Sequence, residues 1–205
     1  RLFAQFTDEV HKTNPGLEVT LQHVQPRNLG ELPAPDVDLT LSSGGPGAPS
    51  DGWEDPWCTG YREFLDHVVS QNVAGRPDAS QLFVVCHSFE LTVTHFRVAT
   101  MKKRATLKFG VFPAYVTKLG EESVLFRPFA DRLFTWEHRR WEAVDLDEGR
   151  LAALGGRVLA RESREGQNDK GDGLMGFRFA PGVVGTQFHP EADRPGVMAW
   201  ITQPQ

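Results

Sequence analysis

The stretch Gln81-Leu82-Phe83-Val84-Val85 constrains the fold more than any other part of the chain. Four apolar residues in a row suit a short strand covered on both faces. Such a strand needs helices on either side, which is the layering of an α/β sheet. The flanks agree. Before it, Gly60 to Asn72 carries Phe64, Leu65, Val68 and Val69 as one apolar stripe and predicts a helix. After it, Phe89 to Ala99 has helical potential, although it is rich in Thr and Val. Cys86 stands directly at the strand's end.

The remaining segments extend this pattern. Arg1 to Lys12 reads as an amphipathic helix stopped by Asn14-Pro15-Gly16. Leu17 to Leu21 and Val37 to Leu41 alternate and predict strands, with Pro33 to Asp36 as a loop. The second half changes character. Phe109 to Leu119, Val124 to Phe126, Leu133 to Trp136, Ala143-Val144 and Val158 to Ala160 predict short strands, and Leu151 to Leu154 a helical turn. Glu165 to Gly173 reads as an exposed polar loop. Leu174 to Phe179 and Val183 to Phe188 predict a hairpin closed at Pro181-Gly182. The expected fold class is α/β: an open, mainly parallel sheet flanked by helices, with an antiparallel extension.

Composition narrows the function classes. With 205 residues the chain is long enough for one well-buried domain and short for two, so residues 1–205 are expected to form a single domain. Its net charge is −5, which argues against a nucleic-acid binder with a basic face. The apolar runs are far shorter than the roughly 18 residues of a membrane span. There are two cysteines, Cys58 and Cys86, and no CxxC or HExxH pattern. A reducing, cytoplasmic setting and a chain without metal or cofactor are the resulting expectations.

Three places could carry chemistry. A cysteine at a strand–turn–helix junction is lifted to the carboxyl edge of the sheet, where the helix N-terminus favours its thiolate. Cys86 has that context, and burial as a structural thiol is the competing reading. Cys58 lies in a polar loop rich in Trp, Pro and Gly, with no base at a suggestive spacing. The second place is His189-Pro190-Glu191. Pro190 biases His189 towards extended backbone, so residues 189 and 191 can share a face. Glu191 could then orient one ring nitrogen and leave the other as a base. The third is Ser43-Gly44-Gly45-Pro46-Gly47, whose glycines let backbone N–H groups approach a ligand. It lacks the GK[ST] of a phosphate loop.

In this chain order the three resemble the class I glutamine amidotransferases. That family carries an S-G-G-P loop, then a cysteine on a strand–helix elbow, then G-x-Q-F-H-P-E. Gly185-Thr186-Gln187-Phe188-His189-Pro190-Glu191 matches the last motif, and Phe109-Gly110-Val111-Phe112-Pro113 resembles the family's G-V-F-P strand. The resemblance spans roughly residues 1 to 195, with the family's first strand expected upstream of Arg1. It implies a Cys86–His189–Glu191 triad, with the N–H groups of Gly45 and His87 as the oxyanion hole. It also implies glutamine as the substrate and a synthetase domain or subunit as the acceptor of its ammonia.

The elbow departs from the family's G-x-C-x-G-x-Q. Val84, Ser88 and Glu90 occupy those three positions. The resemblance places residue 90 in the substrate pocket, where Glu90 would add a charge. That leaves two other readings: a stand-alone cysteine hydrolase or acyltransferase on another γ-glutamyl or acyl substrate, and a non-catalytic binding relative. His87 is a second candidate base, ranked below His189 because no carboxylate is placed in sequence to orient it. Trp136-Glu137-His138-Arg139-Arg140-Trp141 aligns loosely with a region that grips substrate in the family, and its charges read most simply as a solvated turn.

Overall fold

The computed structural model describes residues 2–34, 37–164 and 172–202. Three parallel strands organise it: β1 (Leu39–Ser42), β2 (Gln81–Val85) and β7 (Val183–Thr186). β2 is flanked by β1 on one side and β7 on the other. The sheet has seven strands in the order β1-β2-β7-β6-β5-β3-β4. The other four are β3 (Thr100–Val116), β4 (Arg132–Val144), β5 (Arg157–Arg161) and β6 (Leu174–Ala180). All their pairings are antiparallel. The α/β class stands, and the antiparallel extension takes a larger share of this mixed sheet than the sequence suggests.

The apolar strand is buried at Leu82, Val84 and Val85 and half-buried at Phe83, and among the described residues seven α-helices accompany the sheet. They are α1 (Leu2–Thr13), α2 (Pro26–Leu29), α3 (Pro56–Val73), α4 (His87–Phe96), α5 (Lys118–Glu121), α6 (Glu148–Ala153) and α7 (Arg194–Thr202). Along α3, Cys58, Tyr61, Leu65, Val68 and Asn72 recur at helical spacing and are buried. α4 is fixed by Phe89, whose ring stacks on Phe177 at 5.5 Å and meets Phe179 edge-on at 5.7 Å. A second buried cluster on Phe126, Leu159, Met175 and Phe188 supports the antiparallel half.

Several sequence expectations change. Leu17 to Leu21 is not a strand; Leu17 and Leu21 are about half exposed and the segment has no strand partner among the described residues. Alternation means burial only where a sheet lies alongside. α3 begins at Pro56 because proline suits the first helical position, so Cys58 is a buried helix residue and not part of a polar loop. Val124 to Phe126 is a turn, with only Phe126 buried. The polar loop expected at Glu165 to Gly173 falls mostly on residues 165–171, outside the described set.

The charges of Glu137 and Arg139 are not solvated. β4 runs straight through them, and both are buried. Arg139 Nε donates to Glu137 Oε2 at 2.6 Å and Nη2 to Glu162 Oε2 at 3.0 Å. Lys108 Nζ lies 2.6 Å from Glu162 Oε1 and 3.2 Å from Glu137 Oε1, and Arg104 bridges Glu142 and Glu162. Burial alone would push the Glu162 carboxyl up; Arg139, Lys108 and Arg104 hold it at about 2. Three cations matched by three carboxylates tie β3, β4 and the end of β5 together.

Candidate active site

The site forms because β1, β2 and β7 are adjacent and parallel. Each ends at the same sheet edge, and each hands on one piece: the Ser43–Gly47 loop, Cys86 and His189. Carboxyl edges of this kind are where open α/β sheets place their ligands.

Cys86 is the turn between β2 and α4. Its backbone has φ 53° and ψ −108°, a conformation that costs an L-residue energy and persists only when its surroundings hold it. The holding bonds are visible. Cys86 N–H donates to the Thr186 carbonyl at 2.9 Å, and Glu90 N–H to the Cys86 carbonyl at 2.9 Å. The Ser88 hydroxyl accepts from Val85 N–H at 2.8 Å and donates to the Ser42 carbonyl at 2.7 Å. Ser88 thus fastens the elbow to the end of β1. Val84, bulky for this motif, fits because Gly185 opposite has no side chain; a Cβ there would strike Val84 Cγ2.

His189 is carried to Cys86 from the other side. Its N–H donates to the Trp136 carbonyl at 3.0 Å, an isolated bridge that brings β4 to the site. Nδ1 lies 2.7 Å from Glu191 Oε1, and the ring borders Gly44 together with Cys86. Burial pulls the imidazole pKa down, but neighbouring Cys86 and Glu191 outweigh it and raise it to about 10. Gly44 packs where these side chains meet. A Cβ on it would lie 3.0 Å from Cys86 Cβ, 3.1 Å from His189 Cε1 and 3.6 Å from Cys86 Sγ. Among the described residues the N–H groups of Gly44 and Gly45 have no hydrogen-bond partner.

Glu90 and His87 depart from expectation. Glu90 was expected to face the substrate pocket, yet its side chain is 4% exposed and turned inward. Gln187 Nε2 donates to Glu90 Oε1 at 2.9 Å, and Glu90 Oε2 lies 3.4 Å from His87 Nδ1. That second contact is a close approach without hydrogen-bond geometry. A carboxylate does therefore stand beside His87, one helical turn on. His87 Nε2 in turn sits 2.8 Å from Arg27 Nη2. A guanidinium can only donate, so this bond occupies the lone pair a base would use. Sequence reading missed Gln187 and Arg27; Gln187 sits inside the quoted motif, while nothing near Arg27 marks it.

No family model and no curated protein sequence matches the chain. Solved structures do. A glutamine amidotransferase from Thermotoga maritima superposes with a TM-score of 0.65 at 14% identity, over 96% of this chain and 74% of that one. The protein SMU.1228c gives 0.66 at 19% identity, over 97% and 77%. The glutaminase domain of a Trypanosoma brucei CTPS, solved with bound acivicin, gives 0.61 at 14% identity, over 93% and 79%.

The fold is that of the glutamine amidotransferases. At these identities the likeness concerns the amidotransferase fold, and chemistry must be argued from the residues above. Among the described residues no helix is long and apolar enough to cross a membrane.

Proposed function

We propose that the chain is an amidotransferase-type glutaminase domain in which Cys86, His189 and Glu191 act together. The observation that carries this reading is one shared edge: Cys86 on a strained elbow, His189 against it, and Glu191 2.7 Å behind His189. His189 takes the Cys86 proton and holds it as an imidazolium, its pKa raised to about 10 by its surroundings.

The thiolate attacks the side-chain amide carbon of glutamine. The oxyanion that forms is met by the N–H groups of Gly45 and of His87, the first residue of α4. His189 gives its proton to the leaving nitrogen, and the tetrahedral intermediate collapses to a thioester as the C–N bond breaks and ammonia departs. Water then attacks the thioester and passes a proton to His189. Collapse releases glutamate and restores the Cys86 thiolate. Glu191 keeps the ring oriented throughout. The ammonia would pass to a synthetase partner, as the domain character of the CTPS neighbour suggests.

The alternative of another γ-glutamyl or acyl substrate rests on the charge that Glu90 would add to the substrate pocket. With Glu90 turned into the interior, that reason is gone. The test is ammonia release from glutamine. Wild-type chain should release it and Cys86→Ala should not; equal release by both would overturn the reading.

A further inference from the structure

Arg27 belongs to α2, a four-residue helix far along the chain from Cys86, His189 and Glu191. Its guanidinium nevertheless reaches into the site's wall. Nη1 donates to the Pro46 carbonyl at 2.6 Å, and Nη2 donates to His87 Nε2 at 2.8 Å. Trp57 lies under the guanidinium, 4.8 Å from its carbon to the ring centroid, and holds its plane. A planar fork with donors in fixed directions can link two acceptors at once.

The two acceptors belong to the two segments proposed above to carry the oxyanion donors, the Ser43–Gly47 loop and the start of α4. Pro46 follows Gly44 and Gly45, and its ring fixes φ while removing its own N–H. The Pro46 carbonyl is therefore the handle by which the loop's direction can be set. Gly44 and Gly45 have no side chains, so their peptides rotate at little cost unless held. His87 is the residue after Cys86, and its N–H is the second proposed donor. A Cβ on Gly45 would lie 3.8 Å from Arg27 Nη1 and 4.0 Å from His87 Cδ2, so the three pack against each other. Downstream, Asp51 Oδ2 accepts from Ala48 N–H at 2.7 Å and anchors the loop's far end.

We propose that Arg27 is a positioning residue that locks the Gly44–Gly47 loop to His87 and so sets the loop N–H groups over the Cys86 thiol. It touches neither substrate nor the sulfur and acts through the peptides it holds. This rests on the reading of Cys86 as an acyl-accepting nucleophile, and the experiment separates the two.

Two reagents are compared on the whole chain, with the modified peptide identified by mass. In p-nitrophenyl acetate the thiolate adds to the ester carbonyl, an oxyanion forms, and p-nitrophenolate leaves an S-acetyl group. With iodoacetamide the thiolate displaces iodide and no oxyanion forms. Arg27 is exposed, so Arg27→Ala leaves the core intact. The expected result is a loss of roughly tenfold or more in Cys86 acetylation, with the alkylation rate within about twofold of wild type. Equal losses in both reactions, or no loss in either, would overturn the role of Arg27 alone. A wild-type chain that is alkylated but never acetylated at Cys86 would overturn the nucleophile reading and the proposal with it.

Discussion

His189 Nδ1 and Glu191 Oε1 stand 2.7 Å apart across Pro190. This pair, together with neighbouring Cys86, keeps the imidazole charged well above the usual histidine range. A raised folded-state pKa stabilises the fold fully below the unfolded value of about 6.5, and that contribution disappears as pH rises through the folded value.

Glu191→Gln should therefore lower stability at pH 6 and leave it unchanged above the folded pKa of about 10. The effect is modest because Glu191 is partly solvated. Chemical denaturation at pH 6 and at a pH above the folded value measures it. In the same variant the His189 titration seen by NMR should move down from about 10 towards its ordinary range. An unmoved titration would show that Glu191 does not hold the ring.

Gly44→Ala should separate activity from stability. The added methyl would press on Cys86 Cβ at 3.0 Å and His189 Cε1 at 3.1 Å, so one of them must shift by a few tenths of an ångström. Displacements at a reacting centre cost as much as about 10²-fold, and a loss of about tenfold or more in turnover is expected. At Gly45 the nearest atoms are 3.8 Å away or farther, so Gly45→Ala should stay within about twofold of wild type. Steady-state rates and thermal midpoints of both variants decide it.

Glu90 supports the elbow from inside. Glu90→Ala leaves Gln187 Nε2 buried without an acceptor, at a cost of about 1–3 kcal/mol. Glu90→Gln keeps an oxygen for that donor and should cost less, with KM unchanged. Urea denaturation and steady-state kinetics on both variants check this. A Glu90→Gln variant whose KM rises while its stability holds would return residue 90 to the substrate pocket.

How much of this was legible in the sequence depends on the range of the interaction. The apolar run before Cys86 marks a strand, and Pro190 marks that residues 189 and 191 share a face. Both signals are local, and both elements are present. The charge cluster was hidden because Glu137 and Arg139 look like surface residues until Lys108 and Glu162 arrive from other strands. The inward turn of Glu90 is hidden for the same reason: its partner Gln187 is far along the chain. Arg27 acts on a backbone carbonyl and a ring nitrogen, which leave no residue pattern to read.

The central claim is that Cys86 is a nucleophile aimed at the side-chain amide of glutamine. The most direct measurement is mass spectrometry after treatment with diazo-oxo-norleucine, a glutamine-shaped electrophile. The account predicts one covalent adduct on the peptide containing Cys86, slowed by added glutamine and absent in Cys86→Ala. An unmodified chain, or an adduct that persists in Cys86→Ala, would contradict it.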